Sequence, residues 1–191
     1  KTIAGYKEVA KDRVFMIYCL ISVGVVLVYM NMNSTLSVFL RDNYGFTADW
    51  FGLLLAMNAA MVVFFQIWIA NKISKYDPMK MMALGTIFYM VGFGMYGFIS
   101  EFYLFFIAMA IITIGEMIIS PVSQTAVSFL APQDKRGRYM AFFGFTWGIP
   151  ATFGVIISGL IMDYIGPNWL WYIAAIIGFI TAIGFWLIRK I

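Results

Sequence analysis

Six long apolar runs separated by short polar breaks set the pattern of this chain. They cover residues 14–40, 50–70, 79–99, 102–130, 139–165 and 169–188. A bilayer's hydrocarbon core is about 30 Å thick and a helix rises about 1.5 Å per residue, so each run is long enough to cross as a helix. A lone strand would leave its backbone unsatisfied in lipid, which excludes the extended alternative. The breaks carry turn chemistry: Asn43 and Gly45, Asp77-Pro78, Ser100-Glu101, Ala131-Pro132 through Gly137, and Gly166-Pro167-Asn168. The pattern predicts an all-α membrane protein with a polar lead-in, residues 1–13, and one six-helix domain, residues 14–191.

Charge adds an orientation. Lys1, Lys7, Lys11 and Arg13 precede the first run, Lys72, Lys75 and Lys80 flank the second break, Lys135, Arg136 and Arg138 fill the fourth, and Arg189 and Lys190 close the chain. Arg41 alone of the basic residues falls on the opposite side, with Asp42, Asp49, Glu101 and Asp163. The positive-inside rule then predicts six crossings of the cell membrane with both termini cytoplasmic. Aromatic residues at the run ends read as interface anchors, Trp50, Phe102, Tyr103, Trp169 and Trp171 outside and Tyr76, Tyr139 and Trp186 inside.

Composition agrees: 63% of the 191 residues are hydrophobic and only 12% are charged, against about 25% charged in soluble domains. The net charge of +4 sits in connections rather than on one amphipathic face, so it reads as topology and not as a nucleic-acid surface. A single cysteine, Cys19, and no histidine leave no internal disulfide, cysteine metal site, zinc-protease helix or Ser-His or Cys-His catalysis. No metal or cofactor is expected. The lead-in is not a signal peptide, and a start at Lys1 within a charged stretch reads as part of a longer protein.

Within the fourth run stands one carboxylate, Glu116. An ionisable group in hydrocarbon costs at least a few kcal/mol, which makes it a functional-site hypothesis by default. Thr113, Glu116, Ser120, Ser123 and Gln124 recur on one helical face, with isoleucine and valine on the other. Pro121 removes the usual helical donor from the carbonyl of Met117, which predicts a local bend. Two readings stay open for the acid. It either glues helices by hydrogen bonding to an amide, or carries a proton as water access alternates.

Every lysine and arginine falls in a break or at the end of a run, so the partners of Glu116 must be neutral. Asn31, Asn33, Ser34, Thr35 and Ser37 cluster late in the first run, and Asn58 and Gln66 share a face of the second. These side chains either line a wet cleft with Glu116 or join helices. The fifth run offers small pairs four apart, Gly144 with Gly148 and Gly154 with Ser158, around Pro150. That spacing favours close helix approach.

The run from Ile114-Gly115-Glu116 through Ser120-Pro121-Val122-Ser123-Gln124-Thr125, followed by Ala131-Pro132 and Lys135-Arg136-Gly137-Arg138, resembles the tenth helix and following loop of major facilitator superfamily transporters of the drug:proton antiporter branch. Residues 5–7 and 12–15 look like the lead-in to the seventh helix of that family. The resemblance covers the second half of a twelve-helix transporter. It implies two inverted three-helix repeats, about 14–99 and 102–188, facing an amino-terminal six-helix half across a central cavity. It also implies proton coupling at Glu116; from the polar pattern, Asn31, Asn33, Asn58, Gln66, Thr113, Ser120 and Gln124 are expected to line the substrate cavity. A cytoplasmic gate is implied at Lys72, Lys75, Arg136 and Arg138; the loop of residues 70–80 that carries the first two keeps the basic residues of the family signature but lacks its glycine-and-aspartate core. An acid in the seventh helix of some relatives is replaced here by Asn31 and Asn33.

The expected function is proton-driven efflux of small amphipathic molecules by alternating access, with the proton gradient as energy source. Two rivals remain at this point: a nutrient importer of the same fold, and a six-helix assembly protein in which Glu116 only specifies packing.

Overall fold

The computed structural model describes residues 2–188, with side chains from Tyr6 onward. Lys1, Arg189 and Lys190, which entered the charge pattern, lie outside the described residues. The described chain is helical throughout, with elements α1 (Thr2–Val9), α2 (Arg13–Asn33), α3 (Thr35–Tyr44), α4 (Ala48–Ile73), α5 (Pro78–Met95), α6 (Phe102–Leu130), α7 (Arg136–Tyr164) and α8 (Pro167–Ile188).

Local chemistry sets the helix ends. Asp12 caps α2 by accepting from the amide of Phe15, and Asp77 caps α5 by accepting from that of Lys80, with Pro78 in the first turn. Gly45 closes α3 in the left-handed region, φ 69°, its amide donating to the carbonyl of Arg41.

The first apolar run is two helices rather than one. The break falls at Ser34, where polar side chains compete for backbone groups. Ser34 Oγ donates to the carbonyl of Met30 at 2.7 Å, and Asn31 Nδ2 to that of Leu27 at 2.9 Å. Ser37 Oγ donates in turn to the carbonyl of Ser34. Another shift concerns Arg136 and Arg138, read as loop residues, which form the first turn of α7.

Five of the helices, α2, α4, α6, α7 and α8, are long and apolar enough to cross a membrane. The sixth, α5, is shorter and lies at the centre of the bundle, packed along α6 and α8. Its glycines permit that placement. A Cβ on Gly115 of α6 would stand 2.8 Å from the carbonyl oxygen of Gly85 of α5, so two backbones meet with no room for a side chain.

Around this pair α4 lies on α6, and α2 lies on α7 and α8. Aromatic rings fill the end where α3, α6 and α8 meet: Trp171 sits within 5.1–6.3 Å, ring to ring, of Phe39, Phe93 and Tyr96. Trp171 is therefore core and not an interface anchor. Tyr139 is likewise buried, its ring 4.5 Å from that of Phe15. The remaining proposed anchors, Trp50, Tyr76, Phe102, Tyr103, Trp169 and Trp186, are exposed.

The two outer helices differ from the rest. Leu54 is the buried residue of α4, and most of α7's apolar side chains, such as Phe145, Phe153 and Ile156, face outward. Gly144 and Gly148 meet nothing within 4 Å, whereas Gly154 approaches Leu27 of α2. Of the two small pairs, the second lies at a helix contact within the described chain.

Candidate functional site

Glu116 sits halfway along α6 on the same face as Thr113, and α6 carries both toward α2 and α4. Each carboxylate oxygen accepts one hydrogen bond from a different helix. Tyr29 Oη of α2 donates to Oε1 at 2.9 Å, and Asn58 Nδ2 of α4 donates to Oε2 at 2.7 Å. The Asn58 amide also reaches Thr113 Oγ1 at 3.0 Å, and Thr113 passes its own proton to the carbonyl of Met109. An ionised carboxylate has about four acceptor positions, so the two donors leave about half of them uncommitted. Glu116 itself is half-buried rather than sealed.

Among the described residues no lysine or arginine forms an ion pair with Glu116. The ion pairs among the described residues are Arg41–Asp42 and Lys135–Glu8, both far from α6's midpoint in sequence. Whatever negative charge Glu116 carries would therefore be held by the neutral donors Tyr29 and Asn58. Hydrogen bonds to a charged group contribute about 1.5–3 kcal/mol each, comparable with the few kcal/mol that an acid in a membrane costs.

Protonation changes the geometry the site needs. A carboxyl group carries an O–H that must find an acceptor, yet both present partners are donors. Tyr29 is the partner that can reverse, because a hydroxyl rotates and accepts as well as donates. Its ring is fixed from both sides, stacked on Tyr89 of α5 at 5.9 Å and edge-on to Trp147 of α7 at 6.0 Å. The hydroxyl can turn while the ring stays.

Sequence reasoning missed Tyr29. A tyrosine in an apolar run reads as packing, and the partner lies 87 residues away. The available signal was that a tyrosine hydroxyl buried in mid-span normally has a hydrogen-bond partner.

The other expected residues divide. Asn58 and Thr113 join Glu116, as described. Asn33, one turn beyond Tyr29, is exposed and close enough to interact with its hydroxyl. Asn31 faces elsewhere: it bonds the carbonyls of Leu27 and Val28, accepts from Thr35 at 2.6 Å, and lines a cavity of about 120 Å³ between α2, α7 and α8 with Ser158. Gln66 donates to the carbonyl of Met117 at 3.1 Å, the group that Pro121 deprives of its helical donor. Ser120 and Gln124 are exposed on α6, beyond Glu116 toward the basic loop.

Lys72, Lys75, Arg136 and Arg138 are exposed, and none of them belongs to an ion pair among the described residues. Lys72 lies over the ring of Trp68 at 4.9 Å. The charged contact at that end involves other groups. Lys135 Nζ donates to Glu8 at 2.9 Å, holding the Glu8 carboxyl below its usual range, and Tyr139 Oη donates to Asp12 at 2.9 Å. Among the described residues no cluster of three or more histidines, cysteines or carboxylates could hold a metal ion.

The sequence matches the family model of the Major Facilitator Superfamily over residues 13–190. It is 24% identical over 153 residues to a Na(+), Li(+), K(+)/H(+) antiporter of Planococcus maritimus, covering 73% of this chain and 36% of that protein. It is 26% identical over 170 residues to an uncharacterised MFS-type transporter of Bacillus subtilis, covering 86% of this chain and 43% of the relative. Multidrug resistance protein 3 of Bacillus subtilis is 29% identical over 114 residues, 60% of this chain and 22% of that protein. The chain thus spans less than half the length of these relatives. A match along nearly all of an apolar helical bundle means that the chain belongs to the major facilitator superfamily, a family of multi-pass membrane transporters rather than enzymes.

Proposed function

We propose that the chain is the carboxy-terminal half of a proton-coupled exporter of small amphipathic molecules, with Glu116 as the group that takes up and releases the proton. The observation that carries this reading is the Glu116 carboxylate held between Tyr29 and Asn58, half-buried, with no basic partner among the described residues. A neutral amide would join helices at lower desolvation cost, so retention of an acid there favours a charge that comes and goes. In this reading protonation breaks the Tyr29 bond in its present direction, which changes how α6 is tied to α2. α2–α5 and α6–α8 form the two inverted repeats, and the bundle rocks against the other half.

The amino-terminal half is proposed to cover the open faces of α4 and α7, including the stripe of Gly144 and Gly148. By the positive-inside rule, the Arg13 end of α2 is proposed to lie in the cytoplasm. Ser120 and Gln124 then face the cavity on the cytoplasmic side of Glu116. Asn33 faces it from the other side of Tyr29. The exposed Lys72, Lys75, Arg136 and Arg138 are proposed to meet the other half as a cytoplasmic gate.

A second reading makes the exported solute a monovalent cation. The relative from Planococcus maritimus is named for exchange of such cations with protons. Glu116, Thr113, Tyr29 and a flipped Asn58 amide would present a set of oxygen donors suited to a hard ion.

The test is Glu116→Gln in the whole native protein reconstituted in liposomes. Proton-driven transport is expected to fall by about 100-fold or more, the lower range for loss of a positioned proton-transfer group, while substrate counterflow continues. Unchanged proton-driven transport would remove the coupling role. Competition between Na⁺ and protons for the wild-type site would favour the cation reading, and indifference to Na⁺ the amphipathic one.

A further inference from the structure

Thr113 of α6 is 0% exposed, so within this bundle it meets no solvent and no transported solute. Its hydroxyl is nevertheless committed twice. It donates to the carbonyl of Met109 at 2.8 Å, one turn back, and accepts from Asn58 Nδ2 of α4 at 3.0 Å. The same nitrogen donates to Glu116 Oε2 at 2.7 Å. An amide nitrogen has two hydrogens to give and accepts nothing, so two residues of α6 use up that end of Asn58. The other end, Oδ1, has no hydrogen-bond partner among the described residues. Asn58 is half-buried and Oδ1 is not one of the buried atoms left unpaired, so that end reaches the surface of the bundle. The orientation of the amide is therefore set at α6.

Which end of an asparagine is nitrogen follows from its hydrogen bonds, and Thr113 decides it here. If the amide turned end for end, Oδ1 would face Thr113 Oγ1 lone pair to lone pair, or would draw the Thr113 proton off the Met109 carbonyl. Either way one hydrogen bond is lost. Beside an ionised Glu116 the turned amide would also set oxygen against carboxylate. Beside a protonated Glu116 that second penalty vanishes, because a carboxyl O–H needs an acceptor. Thr113 alone then opposes the turn.

We propose that Thr113 is a positioning residue that keeps Asn58 a donor to Glu116 in both charge states, so that the proton is taken up and released on the carboxyl oxygen facing Tyr29. The proposal rests on reading Glu116 as the proton carrier. On uptake, a proton from water in the opened cavity bonds to that oxygen, and the new O–H donates to Tyr29 Oη. Tyr29 keeps its own proton, turned toward Asn33 within its reach. On release the O–H bond breaks, the proton returns to water, and Tyr29 again donates to the carboxylate. The titratable groups facing Glu116 are Tyr29 of α2 and Tyr89 of α5, stacked on each other. α4 offers the neutral Asn58, with its charged residues Asp49 and Lys72 at the two ends of the helix, and α7 offers Trp147 beside Tyr29. The same hold opposes the reversed amide that a bound cation would need.

The experiment measures proton-driven transport against pH for the whole native protein in liposomes. Thr113→Val keeps the shape of the side chain and removes its hydroxyl. Asn58 can then turn when Glu116 is protonated and add a hydrogen bond to that form, so the pH of half-maximal transport is expected to rise by about 0.5–1 unit, the worth of one hydrogen bond. Thr113→Ser, which restores the hydroxyl, is expected to return the wild-type profile. In an Asn58→Ala background, Thr113→Val is expected to shift the profile no further. A wild-type profile in Thr113→Val beside a loss of coupling in Glu116→Gln would overturn the positioning role and leave the Glu116 reading standing. So would an equal shift in Thr113→Ser, or an equal shift without Asn58. Wild-type coupling in Glu116→Gln would remove both. If Thr113→Val does not fold, wild-type structures on either side of the half-maximal pH, sharp enough to tell nitrogen from oxygen, decide. Nδ2 toward Thr113 in both supports the role, and a reversed amide at the lower pH overturns it.

Discussion

At the scale of single residues, the site consists of side chains whose polar atoms are spoken for from opposite directions. Asn58 serves two acceptors with one amide, and Thr113 accepts from it while donating to its own helix. Gln66 has a different task. Pro121 leaves the carbonyl of Met117 without a helical donor, and Gln66 reaches across from α4 to supply one. Gln66→Leu is therefore expected to destabilise the α4–α6 contact by about 0.6–1.7 kcal/mol, the range measured for side-chain hydrogen bonds within membranes. Unfolding in mixed micelles measures it.

The legibility of these residues followed the range of their partners. The stripe from Thr113 to Gln124 shows in the sequence because it needs only helical spacing, and so does the carbonyl freed by Pro121. Which amide answers that carbonyl depends on how α4 is turned against α6, a tertiary fact. Asn31 reads like a site residue and instead bonds its own helix, because an asparagine near a helix end can satisfy itself locally. Tyr29 reads like packing because its ring does pack, and its hydroxyl alone has the other role.

At the scale of elements, the apolar runs marked every long helix, and their ends moved by a few residues. The main departure was the break at Ser34, where hydroxyl and amide side chains substitute for backbone donors and part α2 from α3. The small-residue pairs of α7 drew attention to that helix, but the closest approach of another helix's backbone to a glycine is between Gly85 and Gly115. Neither is part of a four-residue small pair within its own helix, and a crossing point between two chains of sequence is not visible in either one. Gly115→Ala would force a Cβ to within 2.8 Å of a backbone oxygen that cannot swing aside. The expected cost is about 1–3 kcal/mol, as for other overpacked contacts, seen as a lower melting temperature in detergent. Because Gly115 precedes Glu116, the same shift is expected to lengthen the Tyr29–Glu116 bond.

For the whole molecule, the bundle is strongly asymmetric in burial. α5 is enclosed by α6 and α8, whereas α4 and α7 present long apolar faces outward. A second half docked over α4 and α7, as proposed, would account both for a match of less than half the relatives' length and for these two open faces. The cytoplasmic assignment of the Arg13 end and the substrate class belong to that proposal. The fold was legible because apolar length and spacing repeat along the chain, and the family because the run around Glu116 and the basic loop after it resemble its motif; the proposed substrate chemistry would depend on a cavity that this bundle does not enclose by itself.

The most direct measurement of the central claim is proton release on substrate binding by the whole native protein in weakly buffered detergent solution. If Glu116 exchanges its proton for substrate, wild-type protein releases about one proton per substrate bound, and Glu116→Gln, still binding substrate, releases none. Equal proton release from both proteins would contradict the assignment of Glu116 as the proton carrier.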